Sequence, residues 1–278
     1  MPKRIGKYTI NLPSLPSVIG YAAVVGKKEA EGPLGNCFDK TCKDEFFGEK
    51  TFEKAETKMQ KMTIETAVKK AGLSKKDIRI AFAGDLLNQC IGSSFDMRDL
   101  GFCFAGLYGA CSTMALSLAL AGVFVDSGAA DTALAAASSH FCSAERQYRY
   151  PLEYGGQRTP ASQWTVTGAG AAVIAENREN TPHIEKIIIG SVRDLGITDV
   201  NNMGAAMAPA DVTIEPQLKR GITNLTKRRK LYEGDEHCFF TFVSGKCENK
   251  PKANRPHRRA VCLKFGYSIN RKLQNSLE

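Results

Sequence analysis

The chain has 278 residues, of which 43% are apolar and 24% charged, the make-up of an ordinary globular protein with room for one large α/β domain or two smaller ones. Its longest apolar run, Met114 to Val125, is too short for a membrane helix and is closed by Asp126. The net charge of +9 is local: Lys219 to Glu278 carries 15 Lys/Arg and 5 Asp/Glu, leaving 23 and 24 in the rest, so the body is neutral and the tail basic.

Nine cysteines without regular spacing predict reduced thiols, not a disulfide framework. The opening Met-Pro-Lys-Arg lacks an apolar signal core, so a cytosolic site of synthesis is expected. In chain order, Val18 to Val25 reads as a strand ending at Gly26. A Gly/Pro-rich loop follows through Gly32, Pro33, Gly35 and Asp39. Phe52 to Leu73 has helical spacing through Ala55, Met59, Met62 and Thr66, with Gly72 as its stop. Ile78 to Ala83 is a strand, and Gly84 to Gln89 opens the next loop or helix.

Leu100 to Tyr108 is expected to be a strand running into a turn at Gly106 and Gly109. From Ser112 to Val125 nearly every side chain is apolar or small, which predicts a helix buried on all faces. Cys111 falls at the junction, where unpaired backbone N–H groups and the helix dipole favour a thiolate. The bland alternative is a small core cysteine. Asp131 to Ala137 is a strand leading into Ser138-Ser139-His140, and Tyr148 to Ser162 is irregular. Gln163 to Glu176 and Ile184 to Val192 are two more strands. Alternating strands and helices predict a layered α/β fold.

The motifs carry a resemblance. Gly32-Pro-Leu-Gly35, Phe38-Asp-Lys-Thr41, Ala83-Gly-Asp-Leu-Leu-Asn-Gln89, Gly109-Ala-Cys-Ser-Thr113 and Ala136-Ala-Ser-Ser-His140 occur in order. So do Ala144-Glu-Arg-Gln-Tyr-Arg-Tyr-Pro151, Glu153-Tyr-Gly-Gly-Gln157, Thr165-Val-Thr-Gly-Ala-Gly170, Asp194-Leu-Gly-Ile-Thr-Asp199 and Met203-Gly-Ala-Ala-Met-Ala-Pro209. Across residues 17 to 222 the chain resembles the stage V sporulation protein AD family, within the thiolase-like superfamily of endospore-forming bacteria. The resemblance implies an αβαβα layered fold of two similar halves, with Cys111 at the superfamily's nucleophile position, here read as vestigial. It also implies binding of dipicolinic acid, alone or as its calcium chelate, and its movement into the developing spore. Expected partners are other proteins of that uptake system, and a second copy of the chain if the fold is complete. The implied location is peripheral, at the spore inner membrane, with no cofactor and no metal held by the protein itself.

On this reading residues 1–190 are an N-terminal half-domain and 191–222 begin the C-terminal one. Beyond about residue 222 the family pattern stops, and Asn224-Leu-Thr-Lys-Arg-Arg-Lys230 opens a basic segment without apolar periodicity. That segment, 223–278, is expected to be disordered or non-native, from a frame change or truncation that leaves the C-terminal half largely missing.

Candidate ligand-binding residues are Asp85, Asn88, Gln89, Cys111, His140, Arg146 and Arg149. Asp85, Asn88 and Gln89 follow a strand end, where α/β sheets present ligand groups, although Asp85 reads equally as a helix cap. His140 is either a ligand group or the satisfied partner of a backbone carbonyl. Arg146 and Arg149 suit bidentate carboxylate recognition, against a plain reading as surface charge. His140 with Cys142, and Cys37 with Cys42, are too few ligands for zinc. Two further readings stay open: a thiolase-like acyltransferase using Cys111, and a nucleic-acid binder acting through the basic tail, the latter disfavoured because no RNA-binding or zinc-finger signature accompanies it.

Overall fold

The computed structural model describes residues 1–5, 8–145 and 165–189, and the backbone of 243–245 and 259–261. The elements in order are β1 (Lys3–Arg4), β2 (Thr9–Asn11), β3 (Ser17–Val25), α1 (Lys27–Ala30), β4 (Lys40–Thr41) and α2 (Phe52–Lys70). Then come β5 (Ile80–Gly84), α3 (Ile91–Leu100), β6 (Phe104–Gly106), α4 (Thr113–Asp126), β7 (Thr132–Ser139) and β8 (Gly168–Ala175). The short strands β9 (His183–Ile184), β10 (Lys186–Ile188), β11 (Val243–Gly245) and β12 (Arg259–Val261) complete the set.

A nine-stranded mixed sheet in the order β12-β11-β9-β3-β8-β7-β5-β6, with β4 beside β3, forms the middle layer. β5 pairs in parallel with both β6 and β7, whereas β8 runs antiparallel between β7 and β3. Side chains alternate across the sheet, as the two-residue period of a strand requires. Phe82, Ala133, Ala135, Ala172 and Ile174 face α4, while Ala81, Ala83, Leu134, Ala136, Ala171 and Val173 face α2 and α3. The result is a mixed α/β layered fold. The further layers implied by the resemblance lie outside the described residues.

Alanine and glycine let the layers approach closely. A Cβ on Gly20 would sit 2.5 Å from the Ala67 carbonyl oxygen and 2.8 Å from the Ala71 Cβ, so α2 rests directly on the backbone of β3. Thr51 caps α2, its hydroxyl accepting from the Lys54 N–H at 3.3 Å. The helix stops at Lys70, short of the Leu73 expected, and Gly72 takes the left-handed conformation (φ +71°).

Three expectations are corrected. Leu100 belongs to α3 and not to a strand: Met97 and Leu100 pack into the core under α2, Gly101 ends the helix at φ +74°, and only Phe104–Gly106 is extended. The strand expected from Ile184 to Val192 breaks at Glu185, because Ile184 belongs to the main sheet while β10 joins a small antiparallel sheet with β2 and β1. α4 is not buried on all faces. Thr113, Met114, Ser117, Leu118, Ala121, Gly122 and Val125 are buried at helical spacing, but Ala115, Leu116, Val123 and Phe124 are only half-buried. The strands expected at Asp131–Ala137 and Gln163–Glu176 are observed as β7 and β8 with shifted ends. The irregular stretch 148–162 and residues 191–222 lie outside the described residues. So does 223–278, apart from β11 and β12.

Candidate functional site

The carboxyl ends of the parallel strands β5, β6 and β7 meet at one edge of the sheet, with the loops that follow them. This is where such sheets present ligand-binding groups. The strand-to-helix junction after β6 is tightly built. The Leu107 N–H donates to the Ala83 carbonyl at 2.8 Å, and a Cβ on Gly84 would lie only 1.9 Å from the Leu107 oxygen. Ala110 is held at φ +46°, an unusual angle for a residue with a Cβ. Gly109 donates from its N–H to Thr113 Oγ1 at 3.2 Å and accepts from Ser112 Oγ at 2.6 Å. Cys111 stands exposed in the 3-10 turn Ala110–Ser112, immediately before α4.

The loop after β5 leans on this junction. Cys90 is buried and donates from Sγ to the Leu107 carbonyl at 3.0 Å. Gln89 and Cys90 are both left-handed, at φ +56° and +53°. Asn88 and Gln89 are exposed beside the elbow. Asp85 points the other way. It is 1% exposed and accepts from the Leu87 N–H (2.9 Å), the Ser93 N–H (2.7 Å) and the Ser93 hydroxyl (2.7 Å). Its carboxylate therefore closes its own loop and caps the first turn of α3. Burial raises its pKa, against the lowering effect of the Ser93 and Leu87 bonds.

His140 is equally inward. Its Nδ1 accepts from the Cys142 N–H at 3.1 Å, so Nε2 carries the hydrogen and donates to the Glu45 carbonyl at 2.8 Å. The ring lies 5.3 Å from that of Phe52, and burial lowers its pKa, keeping it neutral. Cys37, Cys103 and Cys111 are the exposed cysteines among those described. Arg146 and Arg149 lie outside the described residues. The structure thus brings Asn88, Gln89 and Cys111 to one surface, and turns Asp85 and His140 into the fold behind it.

Behind that surface is a polar cluster to which no motif points. Glu56 of α2 is fully buried and accepts from Ser138 Oγ (3.0 Å) and Ser143 Oγ (2.7 Å). Gln60, one turn along, donates from Nε2 to Ser93 Oγ (3.1 Å) and Ser138 Oγ (3.2 Å). Glu56 is pushed up to about 8, by burial first and then by Asp85. The one sequence signal is its register: Glu56 and Gln60 share a helix face with Ala55, Met59 and Ile64, where a solvated side chain has no place.

Comparison with known proteins accords with these features. The sequence pattern of the family described as Stage V sporulation protein AD (SpoVAD) matches residues 6–229. The chain is 46% identical over 185 residues to the stage V sporulation protein AD of Bacillus subtilis (strain 168), covering 66% of this chain and 54% of that protein. It thus spans about half the length of that relative. Among solved structures it is similar to a single-residue variant of OleA from Xanthomonas campestris, with 13% identity and a TM-score of 0.49 over 74% of this chain and 71% of that one. It is also similar to 3-oxoacyl-[acyl-carrier-protein] synthase III from Aquifex aeolicus VF5, with 17% identity and a TM-score of 0.41 over 61% and 56%. At those scores the structural likeness assigns no activity. The match across residues 6–229 does assign a family: the chain belongs to the stage V sporulation protein AD family.

Proposed function

We propose that this sporulation protein is a binding module for dipicolinic acid, serving the movement of that dicarboxylate into the developing spore, and not an enzyme. The observation that carries the reading is the state of His140. Thiol-dependent acyl transfer needs a base or a proton carrier beside the sulfur. Both ring nitrogens of the histidine at this sheet edge are already engaged, with the Cys142 N–H and the Glu45 carbonyl. What the edge offers is an exposed surface of Asn88, Gln89 and Cys111, with amide groups that suit a pyridine dicarboxylate. Arg146 and Arg149 are proposed to clamp the two carboxylates. Calcium enters this reading as part of the ligand.

The second reading, an acyltransferase with Cys111 as nucleophile, draws on the exposed thiol at a strained elbow, where Ala110 is left-handed. Incubation with a labelled acyl-CoA separates the two. The binding reading expects no sustained turnover and no acyl-Cys111 that is formed and discharged. Repeated transfer, lost in Cys111→Ala, would overturn it. A peripheral place at the spore inner membrane and contact with other uptake proteins belong to the same proposal. Among the described residues no helix is long and apolar enough to cross a membrane.

A further inference from the structure

The buried cluster forms one continuous chain, Asp85–Ser93–Gln60–Ser138–Glu56–Ser143, whose hydrogens all have assigned directions. Ser93 donates to Asp85, Ser138 and Ser143 donate to Glu56, and the Gln60 amide supplies both hydrogens to serine oxygens. The cluster is short of hydrogens. It holds two carboxyl groups, and the buried Oε1 of Gln60 has no donor among the described residues. There is also a ready place for one more. Ser143 Oγ lies 2.7 Å from Glu56 Oε2 and 3.4 Å from the His140 carbonyl oxygen. A proton on Oε2 would be donated to Ser143 Oγ, and the Ser143 hydroxyl would turn to the His140 carbonyl, without movement of heavy atoms.

We propose that Glu56 and Asp85 hold one proton between them, making this cluster a proton-binding site that ties the loop after β7 to the loop after β5. The charges acting on Glu56 are Asp85, from the end of β5, and Glu53, from its own helix, and both favour the protonated form. Ser143, in the loop after β7, and Ser138 of β7 donate to the Glu56 carboxylate and so oppose its protonation, as Ser93 of α3 does for Asp85. Desolvation outweighs those bonds, and the group titrates at about 8. When the proton leaves to solvent, two like charges remain in one buried network. Glu56 is thus a positioning residue, acting through Ser138 and Ser143. The proposal rests on the network and is independent of which ligand the surface takes.

The test is the titration of the Glu56 carboxyl carbon in the folded chain by NMR, assigned by its absence in Glu56→Gln. The expected midpoint is near 8 in the unaltered chain, and lower by about one pH unit or more in Asp85→Asn, which removes the facing charge. Denaturant unfolding gives a second readout. Between about pH 5 and pH 8 one extra proton bound by the folded state lowers its folding constant about tenfold per pH unit. The Glu56→Gln variant should show a slope shallower by one proton. A carboxyl already ionised at about pH 6 in the folded chain would overturn the proposal, since ordinary carboxylates titrate well below that. So would a midpoint indifferent to Asp85→Asn. The carbon titration decides the matter even if Glu56→Gln folds poorly.

Discussion

At the scale of single residues, Cys111 and Cys90 sit at the same junction with opposite exposure. Cys111 is exposed, whereas Cys90 is buried, donates to the Leu107 carbonyl, and has its thiol pushed up by burial and by Asp85. Brief alkylation at neutral pH, read by mass spectrometry, should label Cys111 in the native chain and leave Cys90 and the buried Cys142 unlabelled until denaturant is added. Labelling of Cys90 in the native chain at the rate of Cys111 would mean that the α3 loop is not held as described. The two inward residues are only half legible in the sequence. That Asp85 and His140 follow strand ends can be read from the pattern, but which way they point cannot. Orientation depends on the turns that bring Ser93 to Asp85 and Cys142 to His140, and on Glu45, which the fold brings up from far away in the chain.

At the scale of elements, the strand ends depend on caps and close approaches. Asp85 satisfies three donors, the Leu87 N–H in its own loop and the Ser93 N–H and hydroxyl in the first turn of α3. Replacing it with Ala would leave buried N–H groups unpaired and should cost about 1–3 kcal/mol in denaturant unfolding. Asp85→Asn, which keeps an acceptor, should cost less. Gly84 has no room for a side chain, since its Cβ would lie 1.9 Å from the Leu107 oxygen. Gly84→Ala should destabilise by about 1–3 kcal/mol through overpacking and shift the elbow that carries Cys111. A variant with unchanged unfolding and unchanged Cys111 labelling would contradict this close packing. Long periodic runs make β3, α2, β5, β7 and α4 legible in the sequence. α3 is hidden there, because the run from Ile91 to Leu100 mixes Gly, Ser and Asp with few apolar positions, and the stop at Gly101 reads as loop. Glu56 is hidden for a related reason: on an amphipathic helix a glutamate reads as solvated until its partners are known.

At the scale of the whole molecule, buried acids set the response to pH. Glu56 and Asp96 are both pushed up to about 8, chiefly by burial, from ordinary values of 4.5 and 3.8. The folded state therefore binds more protons than the unfolded one between those limits. Its stability should be greatest at low values of that window, fall as pH rises to about 8, and flatten beyond. Neither carboxylate oxygen of Asp96 has a hydrogen-bond partner among the described residues. Asp96→Asn should accordingly be near neutral at about pH 6 and stabilising at about pH 9, because each pH unit by which burial raises the carboxyl is worth about 1.4 kcal/mol once the group is ionised. A stability that rises through this window would contradict the burial of both acids.

Leu116 and Val123 of α4 keep part of their apolar surface uncovered, whereas Phe124 packs edge-on against Phe82 of the core, and this adds a second whole-molecule expectation. Apolar surface of this kind contributes about 25 cal/mol per Å² when covered, so the chain in isolation should self-associate, visible as concentration-dependent sedimentation. The central claim is that the strand-end surface binds and does not catalyse. It is tested most directly by calorimetric titration of dipicolinate into the native chain, Cys111→Ala, Arg146→Ala and Arg149→Ala. The account predicts saturable binding that Cys111→Ala weakens only a few-fold, and that loss of either arginine weakens about tenfold or more, the worth of a charge-assisted hydrogen bond. Absence of saturable heat in a folded native chain, or binding indifferent to both arginines, would contradict it.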